Sequence, residues 1–380
     1  MPSGLSRVTI AIARQTSAGA QGACRSQNKE VGKTLSSQEL PLGRPPTMRD
    51  VGALAGVSLK TVSRVINRDP TVSAEIVTRV RRAVDLLDYR PNLAATSLRR
   101  ADRKTATIGL LLEDVSNPFS SALHRAVENV ARERDIMVFT GSSDEDPERE
   151  REVLAAFVSR QVDGLMVVPS GLGRGTFLME RRRARLPTVF LDRPASIPAA
   201  DSVTVDNRVG ASAAVRHLAL HEHRRIAFLG DLHSIWTAVE RERGYLDGLA
   251  SLGIPPDPGI LRRNVRGAEA AEEAVTDLLT SADPPTALFT AQNLITIGAV
   301  RALRQLRLHR RVALVGFDDF QLADQLDPPV SVIAQDPPAL GRTAARLLLA
   351  RLDGDDSPPR HVVVPTQLVP RGSGEIPAGS

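Results

Sequence analysis

Apolar residues recur at helical spacing in three short runs between residues 47 and 90. Thr47 and Asp50 resemble a capping box, so a first helix is predicted to start at about Met48. Its predicted apolar face consists of Val51, Leu54 and Ala55. Gly56 supplies the tight turn that ends this helix, because glycine adopts the left-handed conformation without steric cost.

Two further helices follow the glycine turn. Ser58 is the predicted N-cap of a second helix from Leu59 to about Asn67, and Ser73 is that of a third. Their inward apolar positions are Val62, Val65 and Ile66 in the second helix and Ile76, Val80, Val84 and Leu87 in the third. Three short helices around one small core, two of them joined by a glycine turn, form the helix-turn-helix arrangement.

The outward side of the second helix carries the kinds of side chain that contact bases and phosphates. Arg64 can form a bidentate pair with guanine, and Lys60 can reach a base or a phosphate. The candidate DNA-contacting residues are Ser58, Leu59, Lys60, Thr61, Ser63, Arg64 and Asn67, with Arg68 on the same side. The alternative is a helical hairpin whose basic residues are only solvated.

From residue 105 onward, short apolar strands alternate with amphipathic helices. The segments "TATIGLLLED", "IMVFTGS" and "DGLMVVPS" predict strands of a first series, and a second series starts near residue 203. Such alternation predicts parallel, doubly wound sheets. The expected fold is therefore an α-helical head followed by an α/β body of two lobes, with a ligand in the cleft at the carboxyl ends of the strands.

Charge separates these two parts of the chain. Residues 47–104 contain 12 Lys/Arg against 6 Asp/Glu, whereas residues 105–380 contain 31 against 36. A basic head on a mildly acidic body indicates that the head binds a polyanion and the body does something else.

Other features limit the function classes. The single cysteine, Cys24, excludes an intramolecular disulfide framework and a cysteine-rich zinc site, which favours a cytoplasmic, nucleoid-associated protein. No apolar run is long enough for a membrane span. His217, His221 and His223 suggest a metal, but no further ligand has clear spacing, so we predict none. No catalytic motif or cofactor-binding fingerprint was found, so neither an enzyme nor a cofactor is expected.

The chain resembles the lactose-repressor/galactose-repressor (LacI/GalR) family of bacterial transcription regulators. The resemblance starts at "TMRDVGALAGVSLKTVSRVIN" and continues through "IGLLLEDVSNPF", "VDGLMVV", "VFLDRP", "RRIAFLGD", "VGFDDF" and "LGRTAARLLLARLDG", in the same order and spacing. It implies a body like that of the periplasmic sugar-binding proteins and a homodimer that binds a near-palindromic DNA operator. It also implies allosteric control by a small molecule, expected to be a sugar or sugar derivative.

The resemblance also accounts for the segment "YRPNLAATSLRR". Pro91 biases Arg90 away from helix, and the eight residues from Asn92 to Arg99 are too few for a stable isolated helix. The family implies that this hinge folds on DNA and that an apolar side chain enters the minor groove. The hinge residues expected at the minor groove are Asn92, Ala95 and Leu98.

Polar residues that follow the apolar strands are the candidates for ligand contact. They include Asp114, Arg193 and Asn293, besides those named by the resemblance. The family's motifs place Asp192, Arg241, Gln292 and Asp318 at polar effector contacts and Asn117, Phe119 and Thr237 on the opposite wall. The chain departs from the family at residues 291–293, which are "AQN" where "AND" is common, so the usual effector preference does not transfer.

The expected domain boundaries follow from these segments. They are a disordered extension at 1–46, the head at 47–90, the hinge at 91–104, a first lobe at 105–205 plus 334–358, a second lobe at 206–333 plus 359–370, and a tail at 371–380. Three function classes remain: a ligand-responsive transcription regulator, expected to be a repressor, a transport-associated sugar-binding protein, and an enzyme on a doubly wound scaffold. The basic head favours the regulator.

Overall fold

A computed structural model describes residues 44–67, 69–90, 104–171, 186–194 and 200–379. The chain divides into two compact units, Met1–Pro91 and Asn92–Ser380. The predicted disordered extension lies outside the described residues up to residue 43, and so do the hinge residues Asn92, Ala95 and Leu98.

The first unit contains the three predicted helices, α1 (Met48–Ala55), α2 (Leu59–Ile66) and α3 (Ala74–Leu86). The Asp50 carboxylate accepts hydrogen bonds from the backbone N and Oγ1 of Thr47, at 2.8 and 2.7 Å. Gly56 has a φ of 64°, and Ser58 accepts a bond from the Thr61 backbone N–H at 3.2 Å. The predicted turn between α1 and α2 and the predicted cap of α2 are therefore confirmed.

The core of the first unit is small. Val51, Val62 and Val80, one from each helix, are fully buried. Leu54, however, is 53% exposed, so its prediction as part of the inward face is wrong. It precedes Ala55 by one position, about 100° around the helix, and the other two helices cover only the side that carries Val51 and Ala55.

The second unit contains two six-stranded sheets, each covered by helices. The elements of the first lobe up to residue 205 are β1 (Thr107–Leu112), α4 (Pro118–Arg132), β2 (Met137–Ser142), α5 (Pro147–Ser159), β3 (Gly164–Val167), β4 (Thr188–Asp192) and β5 (Asp201–Val205). With a later strand, β11 (His361–Val364), they form a sheet in the order β11-β5-β4-β3-β1-β2 in which every pair is parallel.

The second lobe repeats this design. Its elements are α6 (Asn207–Leu220), β6 (Ile226–Leu229), α7 (Trp236–Ser251), β7 (Leu261–Arg262), α8 (Gly267–Leu279), β8 (Ala287–Thr290), α9 (Asn293–Gln305), β9 (Ala313–Phe317), β10 (Ser331–Ala334) and β12 (Gln367–Val369). The sheet order is β12-β10-β9-β8-β6-β7, and only the β10–β12 pair is antiparallel. Among the described residues, no helix has both the length and the apolar character needed to cross a bilayer.

The chain crosses between the lobes three times. The first crossing follows β5, and the second follows β10, after which α10 (Pro337–Leu352) packs against α4 and the first sheet. The third crossing lies between residues 364 and 367, later than the predicted position near 359. The physical reason is strand pairing: β11 pairs with β5 of the first sheet, and β12 pairs with β10 of the second.

The segment after residue 370, predicted as a tail, is packed on the second lobe. Ser373 is 3% exposed, and its backbone O accepts a hydrogen bond from the backbone N–H of Leu314 at 2.9 Å. The Glu375 carboxylate bonds to His217 and accepts from the Ser331 hydroxyl at 2.8 Å. This segment is part of the second lobe's structure.

Candidate functional site

A cavity of about 180 Å³ lies between the lobes, at the carboxyl ends of both sets of parallel strands. Parallel strands place the residues that follow them at one edge of a sheet, which is where ligands bind in such folds. Seven predicted effector contacts line this cavity: Asn117, Phe119, Asp192, Thr237, Arg241, Gln292 and Asp318. Asp114 and Arg193 also line it, whereas Asn293 lies behind it and bonds to Asn117.

The structure distributes the predicted effector contacts between the two walls of the cavity differently from the expectation. Asp192 ends β4 and therefore belongs to the first lobe, together with Asn117 and Phe119. Thr237 lies on α7 in the second lobe, on the same side as Arg241. A residue's lobe depends on which sheet its strand joins, and adjacent motifs in the sequence do not reveal this.

Two aspartates occupy equivalent places in the two lobes. Asp192 is the last residue of β4, and Asp318 directly follows β9. Both have positive φ values, 63° and 71°, a conformation that is unusual for residues other than glycine. Such backbone geometry often occurs at functional sites, where it turns a side chain toward a ligand. Both carboxylates line the cavity and are almost fully buried.

Arg241 is held by several partners in the second lobe. Its Nε donates to Asn207 Oδ1 at 2.7 Å, and its Nη1 donates to the Ala291 carbonyl at 2.8 Å and to Asp318 Oδ2 at 3.3 Å. The guanidinium also lies 3.8 Å from the ring centroid of Phe317. These contacts orient Asp318 and leave Arg241 rigid beside the cavity.

Arg193 is the corresponding cation of the first lobe, and three carboxylates share it. Glu145 accepts two bonds from it, at 2.9 and 2.5 Å, while Glu113 lies 3.6 Å from its Nη2. Asp192 lies 3.7 Å from its Nε. Burial is the main cause that raises the pKa of Glu113, to about 8. Arg193 opposes this rise, whereas the carboxylates of Asp192 and Glu145 add to it. Burial likewise raises the pKa of Asp192, and that of Asp231 on the other side of the cavity.

Some buried polar atoms beside the cavity have no hydrogen-bond partner among the residues that the structure describes. They are Oδ1 of Asp192, Nε of Arg193 and Oε1 of Gln335. A buried polar atom without a partner is costly, and a bound ligand is one way to satisfy it. The three atoms belong to residues that line the cavity, so they form a polar surface that a small hydroxylated or charged molecule can complete.

Among the described residues, two hydrogen bonds connect the walls of the cleft. Nδ2 of Asn293 donates to Oδ1 of Asn117 at 2.9 Å, and Nη2 of Arg266 donates to the Asp144 carbonyl at 2.8 Å. Each bond joins the second lobe to the first. The structure is therefore a closed arrangement of the two lobes around the cavity.

Sequence reasoning missed several lining residues. Glu113, Glu145, Asp231 and Gln335 all line the cavity. Each lies within three residues of the end of a strand, namely β1, β2, β6 and β10. The same criterion that selected Asp192 and Asp318 would have found them if it had been applied to every strand.

The three histidines considered for metal binding are not one cluster. His223 bonds to Thr286 Oγ1 and to the Ile376 carbonyl, at 2.9 and 2.7 Å, and is fully buried. His217, His221 and Glu375 have potential ligand atoms within 4.8 Å of one another. In the structure His217 bonds directly to Glu375, which fastens the last segment of the chain to α6.

In the head, most candidate DNA-contacting residues lie on the accessible side of α2. Leu59 is 42% exposed, and Lys60 and Asn67 are also exposed. Arg64 is half-exposed, and its Nε donates to Asp69 Oδ2 at 2.9 Å. Ser58 and Thr61 are used in the cap of α2, and Arg68 lies outside the described residues.

Together, a helix-turn-helix head and a two-lobed body with a polar cleft define the class of ligand-responsive DNA-binding regulators. A model of the lacI family of bacterial regulatory proteins matches residues 47–92, and a model of the periplasmic binding protein-like domain matches residues 215–374. The chain belongs to the lacI family of bacterial regulatory proteins, so it is a DNA-binding transcription regulator.

Similar proteins cover nearly the whole chain. It is 34% identical over 344 residues to the transcriptional regulator PtxS of Pseudomonas aeruginosa, which covers 89% of this chain and 98% of that protein. A structure of the lac repressor dimer bound to operator and the anti-inducer ONPF has a TM-score of 0.78 at 27% identity, covering 87% of this chain and 99% of that one. A complex of the regulator CelR with cellobiose has a TM-score of 0.64 at 31% identity, covering 86% and 99%.

Proposed function

We propose that the chain is a homodimeric repressor that binds a near-palindromic operator. Its affinity for the operator falls or rises when a small polyhydroxylated molecule binds between the lobes. One observation carries the proposal. Polar side chains from both lobes meet at one cavity whose buried atoms are partly unsatisfied. Similar regulators support the ligand class, since one similar structure contains cellobiose.

Each wall of the cleft has a role in this proposal. Asp192 accepts hydrogen bonds from ligand hydroxyls on the first lobe, and Phe119 covers an apolar face of the ring. Asn117 lines the same wall, with its Oδ1 already engaged inside the protein. On the second lobe Asp318 accepts from ligand hydroxyls and Gln292 donates to them from Nε2, with Thr237 beside them and Arg241 holding Asp318 in place. A ligand that touches both walls stabilises the closed arrangement relative to an open one.

The head supplies DNA affinity. In the proposal α2 enters the major groove, where Arg64 and Lys60 contact bases or phosphates, and the other candidates of α2 position the helix. Asn92, Ala95 and Leu98 contact the minor groove, and Leu98 is the apolar wedge. Two heads on one dimer explain the near-palindromic site. The protein acts in the cytoplasm on chromosomal DNA and binds its ligand without turnover.

The experiment selects genomic fragments with purified full-length protein and then tests small molecules for a change in binding to the recovered sites. Enrichment of a palindromic site, and a shift in its affinity with at least one sugar or sugar derivative, is the expected result. Failure to enrich any palindromic site would refute the repressor function.

A cavity-filling variant localises the response. Ala238 lines the cavity, and Ala238→Leu occupies its volume without removing a buried hydrogen bond. We expect this variant to bind the operator normally but to lose the response to the ligand. Ala282→Leu, at an exposed position of the second lobe, is the matched control and should respond as the unchanged protein does.

A further inference from the structure

We infer that the effector is cationic: a small polyhydroxylated molecule with a protonated amine that lies against the carboxylates of Asp192 and Glu113. The inference rests on the proposed function of the cleft and goes further by naming the ligand's charge. Its basis is the distribution of charged groups around the cavity.

Carboxylates outnumber cations among the described residues around the cavity. Seven of these lining residues are Asp or Glu and three are Arg, so this part of the wall has more acidic than basic groups. The imbalance is greatest in the first lobe, where Arg193 is the one cation among the described residues that lies within 4 Å of Glu113, Glu145 and Asp192. One guanidinium therefore faces three carboxyl groups, and a cation on the ligand would balance their charge.

The buried arginines have little left to offer an anion. Arg193 gives two bonds to Glu145 and one, at 2.5 Å, to the Pro169 carbonyl, so only its Nε is unpartnered. Arg241 is bonded to Asn207, Ala291 and Asp318. A carboxylate or phosphate on the ligand needs a free guanidinium fork, and neither of these two buried arginines presents one. The third lining arginine, Arg266, is exposed and already donates Nη2 to the Asp144 carbonyl. The buried part of the cavity around Arg193 and Arg241 therefore disfavours sugar acids and sugar phosphates.

The carboxylates, by contrast, have unused acceptor atoms. Oδ1 of Asp192 has no hydrogen-bond partner in the described part of the chain, and the residue is only 4% exposed. Burial is the main reason that the pKa of Glu113 rises to about 8, and Arg193 offsets only part of this rise. The Glu113 carboxyl therefore keeps its proton near neutral pH, and a cation beside it would favour the ionised carboxylate instead. A ligand ammonium supplies that charge and donates hydrogen bonds to Asp192.

The test compares ligands that differ in a single group. We would titrate the full-length protein with glucose, glucosamine and glucuronate, and with galactose, galactosamine and galacturonate. These monosaccharides are small enough to be tested against a cavity of about 180 Å³. In at least one series the amine should bind about tenfold more tightly than the neutral sugar, as a charge-assisted bond replaces a neutral one. The acid should not bind.

Proton linkage is a second readout. Because Glu113 is protonated near neutral pH, binding of an amine should release protons as Glu113 ionises, and binding of the neutral sugar should not. Calorimetry in buffers of different ionisation enthalpy measures this release. A neutral sugar or an acid that binds more tightly than its amine would overturn the inference, and so would failure of every amine to bind.

A matched pair of variants assigns the preference to the site. Asp192→Asn should reduce the advantage of the amine over the neutral sugar about tenfold, whereas Asp356→Asn, the same change at an exposed position, should leave it intact. If Asp192→Asn does not fold, Glu113→Gln tests the same charge. If other small molecules alter operator binding while no amine binds, only the inference fails. If an amine binds without altering operator binding, only the proposed function fails.

Discussion

Asn293 in the second lobe donates a hydrogen bond from Nδ2 to Oδ1 of Asn117 in the first lobe, at 2.9 Å. Both side chains are buried, at 1% and 5% exposure, and each lies at the N-terminal end of a helix that faces the cleft. The same Oδ1 atom also accepts from the Phe119 backbone N–H, so Asn117 keeps a partner if the lobes separate. Asn293 has no such alternative for its amide donor among the described contacts.

Asn293→Ala should therefore weaken lobe closure. Loss of one net hydrogen bond corresponds to about 1 kcal/mol, which is about a fivefold loss of ligand affinity if the ligand binds the closed form. Small-angle scattering should show a larger radius of gyration for the ligand-free variant. Asn129→Ala, an exposed position on α4, is the control and should change neither quantity.

Glu113→Gln should make the protein more stable at alkaline pH. The pKa of Glu113 is raised from 4.5 to about 8, mainly by burial, so the folded state binds a proton that the unfolded state releases. Its favourable contribution is complete below pH 4.5 and is lost as the pH rises toward 8. The melting temperature of the unchanged protein should fall across this range more steeply than that of the variant.

Calorimetric melts at several pH values measure this difference. Glu152→Gln, an exposed glutamate of α5, is the control and should leave the slope unchanged. Parallel slopes for Glu113→Gln and the unchanged protein would show that Glu113 ionises normally in the folded state.

The position of the cleft could be predicted because it depends on a topological rule. Once the alternation of strands and helices indicates parallel sheets, residues after the strands must meet at one edge, and Asp192, Gln292 and Asp318 were found in this way. Arg241 was indicated both by its place near a strand and by the family resemblance, whereas Thr237 came from the resemblance alone. Neither the pattern nor the resemblance indicated that Asp192 and Asp318 adopt left-handed backbone conformations, since nothing local in the sequence requires them.

Contacts between distant segments could not be predicted from one sequence. Glu375 bonds to His217 and Ser331, which lie 158 and 44 residues away, and no periodic pattern connects them. The segment "HVVVPTQLVPR" is similarly misleading, because two strands that belong to different sheets resemble a single strand in the sequence. The contacts of Glu375 and the pairing of these two strands both depend on which surfaces of the folded lobes are free to be packed against.

Glu375→Gln should destabilise the second lobe at neutral pH. Burial alone would raise the pKa of Glu375, but hydrogen bonds from His217, Ser331 and the Gly372 backbone lower it from 4.5 to about 2. The stability that it contributes is present above pH 4.5 and is lost as the pH falls toward 2. The variant should have a lower melting temperature than the unchanged protein at pH 7 and a similar one in acid. Equal melting temperatures at pH 7 would contradict this role, and Glu273→Gln serves as the control.

Arg64→Lys should relax operator specificity while it preserves the electrostatic part of DNA binding. In the head, Asp69 accepts a bond from Nε of Arg64 at 2.9 Å and so orients the guanidinium on the exposed side of α2. Lysine keeps the charge but loses the planar fork that contacts guanine at two atoms. The preference for one base pair in each half-site should fall by about 1–3 kcal/mol, whereas the salt dependence should stay nearly constant.

Binding to a set of operators with single base substitutions, at two salt concentrations, distinguishes the two roles that Arg64 can have. If Arg64 contacts a base, Arg64→Lys should lose the base preference at one operator position. If Arg64 contacts a phosphate, the base preference should remain at every position, since lysine is also a phosphate ligand. Arg82→Lys, at an exposed position on α3, controls for the change of side chain in the same small domain. An unchanged base preference in Arg64→Lys would therefore place Arg64 on the DNA backbone, where Asp69 would orient it toward phosphate.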